Sequence, residues 1–136
     1  MGEKTCLVIG GGRGMGAATA KEMHKRGYKL SLMSPSDSCE HLAENLKGIA
    51  LRGKAENKKN LERIVSLTME KYGRIDSVLL HVGGPPKGDL LEIDDEDWDK
   101  ANQMIIKPVV SISKLVTPIM LEQGGGSIVN LSLIHI

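Results

Sequence analysis

A chain of 136 residues is one domain by length, residues 1–136, and is long enough to bury a core. Lys and Arg total 18 against 17 Asp and Glu, and nothing in this balance points to a nucleic-acid or anionic-membrane surface. Two cysteines, Cys6 and Cys39, are too few for a secreted disulfide scaffold, no stretch reads as a signal peptide or membrane span, and Phe is absent, so a reduced, cytoplasmic protein with an aliphatic core is expected.

The predicted elements alternate strand and helix. Residues 4–9 are a short apolar run ending in a glycine cluster, which predicts a buried strand. A helix follows from about Gly14 to Arg26, with Gly27 as its stop. Residues 28–33 form a second strand, and Ser36 or Asp37 can cap a short helix ending near Lys47. A third strand covers 48–52. Asn57 can cap the next helix, whose Leu61, Ile64, Val65 and Thr68 recur at spacings of three and four, and Gly73 closes it. Residues 75–82 are the fourth strand. Asp94 caps a long helix with Asp95, Glu96 and Asp97 in its first turn, where carboxylates suit the helix dipole. Pro108 should bend or split that helix, and the triple glycine 124–126 ends it. Residues 127–131 begin a fifth strand.

Strands joined by helical crossovers require a parallel sheet, and strands apolar on both faces require helices on both sides. The expected fold class is α/β, a doubly wound parallel sheet of Rossmann type with about five strands, incomplete at its C-terminal end.

The strongest chemical signal is the turn from Gly10 to Gly16, GGGRGMG, between the first strand and its helix. Glycines accept positive φ and let backbone approach a diphosphate without a Cβ in the way. The helix start behind them offers unpaired N–H groups and a positive dipole end. Gly10, Gly12, Arg13, Gly14, Met15 and Gly16 are the candidate cofactor-binding residues of this turn. An NAD site places an acid at the end of the second strand to hold the ribose hydroxyls. Ser34 stands there instead, and Arg13 can pair with a 2′-phosphate, so NADP is favoured over NAD. Ser34 also argues against a methyltransferase, which wants an acid at that place.

The glycine spacing, Gly73-Arg74-Ile75-Asp76 before the fourth strand, Asp95-Glu96-Asp97-Trp98 opening the long helix, and Gly126-Ser127-Ile128-Val129-Asn130 are met in register. In these the chain resembles the short-chain dehydrogenase/reductase family, over nearly its whole length. The resemblance implies hydride transfer between a nicotinamide and a carbonyl or alcohol carbon of a small molecule. It implies a Ser, a Tyr and a Lys as catalytic residues and, in the full-length form, a homo-oligomer paired through the long helix. The chain departs from the family pattern after the fourth strand, where Leu80-His81-Val82-Gly83 replaces Asn-Asn-Ala-Gly. Gly83 keeps the close approach to the cofactor. The adenine-contacting Asp falls at Lys54, with Ala55 after it, and the helical Asn falls at Ile105. The catalytic Ser falls at Leu133, with Ser132 one place early, and the Tyr and Lys would lie beyond Ile136, so no catalytic residue is assigned. Residues 131–136 read like the translation of a transposon-end adaptor, and the native frame is expected to end near Asn130. The 136-residue chain is therefore expected to bind dinucleotide weakly and to turn nothing over. The alternative reading is a non-catalytic dinucleotide-binding protein or inactive subunit.

Other features have plainer readings. His81 reads as a strand-end histidine, with contact to the nicotinamide side or a role as an acid as the alternative, Pro85-Pro86 as a stiff loop beside the cofactor cleft, and Trp98 as a packing residue. Lys58, Lys59 and Arg63 make a solvated helix face. The carboxylates at 94–97 do not converge on one point, so no metal is expected.

Overall fold

Alternate residues of the central strands feed two separate cores, one on each side of a five-stranded sheet. The computed structural model describes residues 3–131. Ser132 and Leu133, and with them nearly all of the tail read as non-native, lie outside the described residues. The strands are β1 (Thr5–Ile9), β2 (Lys29–Ser34), β3 (Ile49–Arg52), β4 (Ser77–His81) and β5 (Ser127–Leu131), ordered β3-β2-β1-β4-β5 and all parallel. Helices α1 (Gly14–Lys25), α2 (Ser38–Asn45), α3 (Lys58–Tyr72), α4 (Asp95–Ala101) and α5 (Lys107–Glu122) occupy the crossovers that parallel pairing demands. Leu7, Ile9, Met33, Val78 and Leu80 pack against Leu61 and Ile64 of α3 and Ile112, Val116 and Met120 of α5. Cys6, Val8, Leu30, Leu32 and Leu79 face the other way, onto Ala20 of α1 and Cys39, Leu42 and Ala43 of α2. This is the doubly wound arrangement, with an aliphatic core on each face. Burial pushes the Cys6 thiol up to about 12, so it stays protonated within its core.

Winding runs outward from β1 to β3 and then, from β4, outward on the opposite side. The reversal falls between β1 and β4, neighbours in register from Cys6↔Ser77 to Ile9↔Leu80. In open α/β sheets a crevice forms at the carboxyl ends of the strands at such a point.

Helix ends follow local chemistry. The Asn57 side chain accepts from the Lys59 and Asn60 amides at 3.0 and 3.3 Å, and Asp94 accepts from the Asp97 amide at 2.8 Å. Gly73 closes α3 in the left-handed conformation at φ +72. Asp37 occupies the cap position of α2 without a side-chain cap bond, because its own backbone is already helical at φ −69 and ψ −8. The expected break in the long helix is real but takes an unusual form. Residues Asn102–Ile106 are a π-helical turn, in which the Lys107 amide reaches back to the Asn102 carbonyl. Pro108 has no amide to donate, and the widened turn precedes it. A second proline, Pro118, is tolerated on the exposed side of α5.

Two expectations need correction. Trp98 is 51 % exposed, since no residue of α4 is buried. The helix spanning Asp95–Glu122 is, by length and composition, long and apolar enough to cross a membrane, contrary to the reading that no segment reaches that length. Its Pro108, Ile112, Val116 and Met120 are buried, three of them in the core against the sheet and α3, but only 22% of its apolar window is buried, and Ile106, Val110 and Leu121 are exposed.

Candidate functional site

The glycine turn is shaped by two collisions that side chains would cause. At Gly10, φ is +82 and a Cβ would strike the carbonyl oxygen of His81 at the end of β4. At Gly16 a Cβ would strike the carbonyl oxygen of Gly10. Gly10 and Gly11 donate their amides to the Met33 carbonyl at 2.8 and 3.1 Å, which ties the turn to the end of β2. Gly14, at φ +54, opens α1 and meets nothing within 4 Å. Helix α1 starts from Arg13 with no side-chain cap bond and no acid in its first turn. Its first N–H groups are thus left for an anion, and the dipole end there is uncompensated.

A cavity of about 450 Å³ lies against this turn. Its walls take Gly10, Gly12, Arg13 and Gly14 from the turn, Ser34, Ser36 and Ser38 from the end of β2 onward, Ala55 and Glu56 after β3, and Gly83 after β4. The structure therefore brings together seven of the nine residues singled out from sequence: Gly10, Gly12, Arg13, Gly14, Ser34, Ala55 and Gly83. Met15 and Gly16 stand outside the lining. Met15 is the second residue of α1 and 46 % exposed, and Gly16 is buried beneath Gly10.

The β2 end is a small hydroxyl cluster. The buried Ser34 hydroxyl donates to the Ser36 carbonyl at 3.0 Å, and the Ser36 and Ser38 hydroxyls are 2.7 Å apart. A Cβ on Gly12 would run into the Ser38 and Ser34 hydroxyls, so the cluster and the turn are in direct contact. Cys39 is fully buried beneath, its thiol 3.6 Å from the Ser36 carbonyl. No carboxylate stands at the end of β2; the nearest in sequence, Asp37, is exposed and lies 3.8 Å from His41. Arg13 belongs to none of the ion pairs found among the described residues.

A second cavity, of about 590 Å³, adjoins the first through His81, Val82, Gly83 and Gly84. Its remaining walls include Leu80, Pro85, Pro86, Ile105, Val109, Asn130 and Leu131. The prolines thus flank this apolar space, and Ile105 borders it from the π-helical turn. Sequence reasoning passed over Ser38, Gly53 and Glu56, and gave Ser36 only a capping role. All four follow the C-terminal ends of β2 or β3, where residues of such a sheet meet a ligand, and that position was the available signal.

The free volume, the uncapped helix start and the hydroxyl cluster are compatible in charge and space with an extended phosphate-bearing dinucleotide. An uncharacterized oxidoreductase of Thermotoga maritima is 32% identical over 133 residues, covering 95% of this chain and 53% of that protein. The 3-oxoacyl-(acyl-carrier-protein) reductase FabG of the same organism is 29% identical, covering 95% of this chain and 55% of its own length. The chain thus spans about half the length of these curated relatives. Among solved structures, YwfH, an NADPH dependent reductase involved in bacilysin biosynthesis, superposes with a TM-score of 0.88 at 20% identity, covering 94% of this chain and 54% of that one, a likeness of fold. The profile of the short chain dehydrogenase family matches residues 4–135, and the chain belongs to that family.

Proposed function

We propose that the crevice binds NADP and that the longer protein to which these residues correspond transfers hydride between the nicotinamide and a carbonyl or alcohol carbon of a small molecule. The observation that carries the reading is the uncapped, acid-free start of α1 beside a β2 end that offers Ser34 in place of a carboxylate. In this reading the N–H groups of Gly12 to Gly16, Met15 included, face the diphosphate. Arg13 and the hydroxyl cluster take the 2′-phosphate, which an acid at position 34 would repel. Ala55 borders the adenine side and Gly83 the nicotinamide side. YwfH, whose fold this chain shares, is itself described as NADPH dependent. The cofactor supplies the hydride chemistry when bound, and the residues described here bind and orient it. A homo-oligomer paired through α4 and α5 and a cytoplasmic setting complete the proposal.

A second reading, a dinucleotide-binding protein without catalysis, is favoured by one feature. The second cavity is lined by Leu80, His81 and Ile105 where the family resemblance calls for asparagines.

Equilibrium titration of the chain with NADPH, NADH and S-adenosylmethionine tests the binding step. NADPH is expected to bind about tenfold more tightly than NADH, from one charge-assisted contact to the extra phosphate. Binding of S-adenosylmethionine with neither nicotinamide would sink the proposal. Turnover of a carbonyl substrate belongs to the extended chain, where a Tyr-x-x-x-Lys segment is expected; an extended chain that binds NADPH but lacks that segment supports the second reading.

A further inference from the structure

The two adjoining cavities differ in chemistry. The first takes Arg13, Glu56 and the hydroxyls of Ser34, Ser36 and Ser38 into its wall. The second, of about 590 Å³, takes no carboxylate and no serine, threonine or tyrosine hydroxyl. Val82, Pro85, Pro86, Ile105, Val109 and Leu131 supply its apolar wall, and its polar side chains are those of His81, Lys87 and Asn130. Ile105 enters the wall from the π-helical turn, whereas Asn102 and Gln103 of the same turn are exposed and stand outside it. Lys87, in the loop after β4, is the one lysine or arginine of this wall. It belongs to none of the ion pairs found among the described residues. Asp89 and Glu92 follow it in the chain but stand outside the wall.

We infer that the second cavity selects the substrate, and that this substrate is an apolar oxo acid or the corresponding hydroxy acid, its alkyl or alicyclic body against Ile105 and Val109 and its carboxylate towards Lys87. The inference rests on the hydride-transfer reading above and adds to it the class of molecule that is bound. A polyhydroxylated substrate would bring hydroxyls that give up their bonds to water and find few partners in this wall. An apolar body gains by leaving water, in proportion to the surface it buries. The charge follows from the same wall. A cationic group would meet Lys87 and no carboxylate, whereas an anionic group meets a lysine that no acid of the fold engages. Because Lys87 is exposed, its contribution is a modest one, and the apolar contacts carry most of the selection.

The probes are hexanoate, octanoate, decanoate, octanamide and gluconate, titrated calorimetrically into the chain with and without NADPH. Affinity should rise about two- to fourfold for each methylene from hexanoate to decanoate. Gluconate, with the same charge on a hydroxylated body, should bind about tenfold or more below octanoate. Octanamide, uncharged, should bind about three- to fivefold below octanoate, and Lys87→Gln should remove that difference. Ile105→Asn should weaken octanoate about fivefold or more, whereas Leu121→Asn, on the exposed end of α5 and outside the cavity, should leave it unchanged. Equal loss in both would place the acid on the exposed helix face and overturn the inference. A series flat in chain length, or gluconate binding as tightly as octanoate, overturns it as well, and neither measurement needs a variant to fold. Octanamide binding as tightly as octanoate overturns the assignment to Lys87. NADPH binding with a flat series sinks this inference alone. The expected series with no binding of NADPH, NADH or NAD sinks the dinucleotide reading and leaves the cavity's preference for apolar acids without a redox role.

Discussion

The Arg74 guanidinium grips the Asp76 carboxylate through two nitrogens, Nε at 2.8 Å and Nη2 at 2.5 Å. The same carboxylate accepts the Thr5 amide at 2.8 Å, and the Asp76 amide donates to the Thr5 carbonyl at 2.9 Å. Asp76 therefore ties the start of β1 to the start of β4, at the opposite end of the sheet from the crevice. The pair is legible in the sequence as Arg-Ile-Asp before β4, but its tie to Thr5, 71 residues away, is a product of the fold.

Asp76→Asn should lower stability by about 1–2 kcal/mol at neutral pH, since it removes a charge-assisted pair that is only partly exposed. The Arg74 hydrogen bond, with the Thr5 amide adding to it, holds the Asp76 carboxyl below the usual carboxylate range. A carboxyl lowered in the folded state stabilises above its unfolded value, about 3.9, and that stabilisation is lost as pH falls through the lowered folded value. The gap between parent and variant in urea denaturation should accordingly narrow at about pH 3. A gap of the same size at both pH values would show that ionisation is not its source.

The three glycines of the turn should respond differently to alanine. Gly10→Ala faces both a positive φ and the His81 carbonyl, two backbone obstacles that cannot rotate away, so it should lower stability by about 3 kcal/mol or more. Gly14→Ala meets open space at φ +54 and should cost only about 1 kcal/mol. Gly12→Ala collides with serine hydroxyls, which can rotate, so the expected loss is in dinucleotide affinity rather than in folding. Thermal melts beside NADPH titrations separate these outcomes. Equal destabilisation by all three would contradict the geometry.

Much of the architecture can be read from the chain because its local signals agree. Asn57, Gly73, Asp94 and the 124–126 glycines mark helix ends by their own chemistry, and each marks one in the structure. The site is less legible. Gly10, Gly12 and Gly14 announce themselves by composition, whereas Ser38 and Glu56 reach the cavity only because β2 and β3 end beside it. The π-helical turn was out of reach as well: a proline predicts a break, but its form depends on how the flanking turns pack. Trp98 misled because a large apolar side chain reads as core, whereas α4 buries none of its residues.

Cofactor choice should turn on Arg13 and Ser34. Arg13→Ala removes the cation that borders the cavity beside the hydroxyl cluster, and NADPH affinity should fall about tenfold while NADH affinity changes little. Ser34→Asp introduces a carboxylate at the end of β2, where an acid can hold ribose hydroxyls and repels a 2′-phosphate. The ratio of NADPH to NADH affinity should fall by about tenfold or more. Competitive titration of both dinucleotides measures the ratio directly. An unchanged ratio in both variants would place the 2′-phosphate elsewhere.

Helix α2 ends in a complete Schellman motif whose left-handed position is filled by the wrong residue type. The Gly48 amide donates to the Ala43 carbonyl at 2.8 Å and the Lys47 amide to the Glu44 carbonyl at 3.2 Å. Lys47 sits at φ +53, the one non-glycine residue with positive φ among those described. A Cβ at such a position costs about 1 kcal/mol, which glycine avoids, although glycine also gains entropy in the unfolded chain. Lys47→Gly should therefore stabilise the fold by about 0.5–1 kcal/mol, raising the melting temperature by roughly 2–4 °C. Gly48 cannot take over the role: a Cβ there would come 2.6 Å from the Leu30 carbonyl oxygen, so Gly48→Ala should destabilise. If Lys47→Gly lowers the melting temperature, the lysine side chain contributes more to the folded state than its backbone conformation costs.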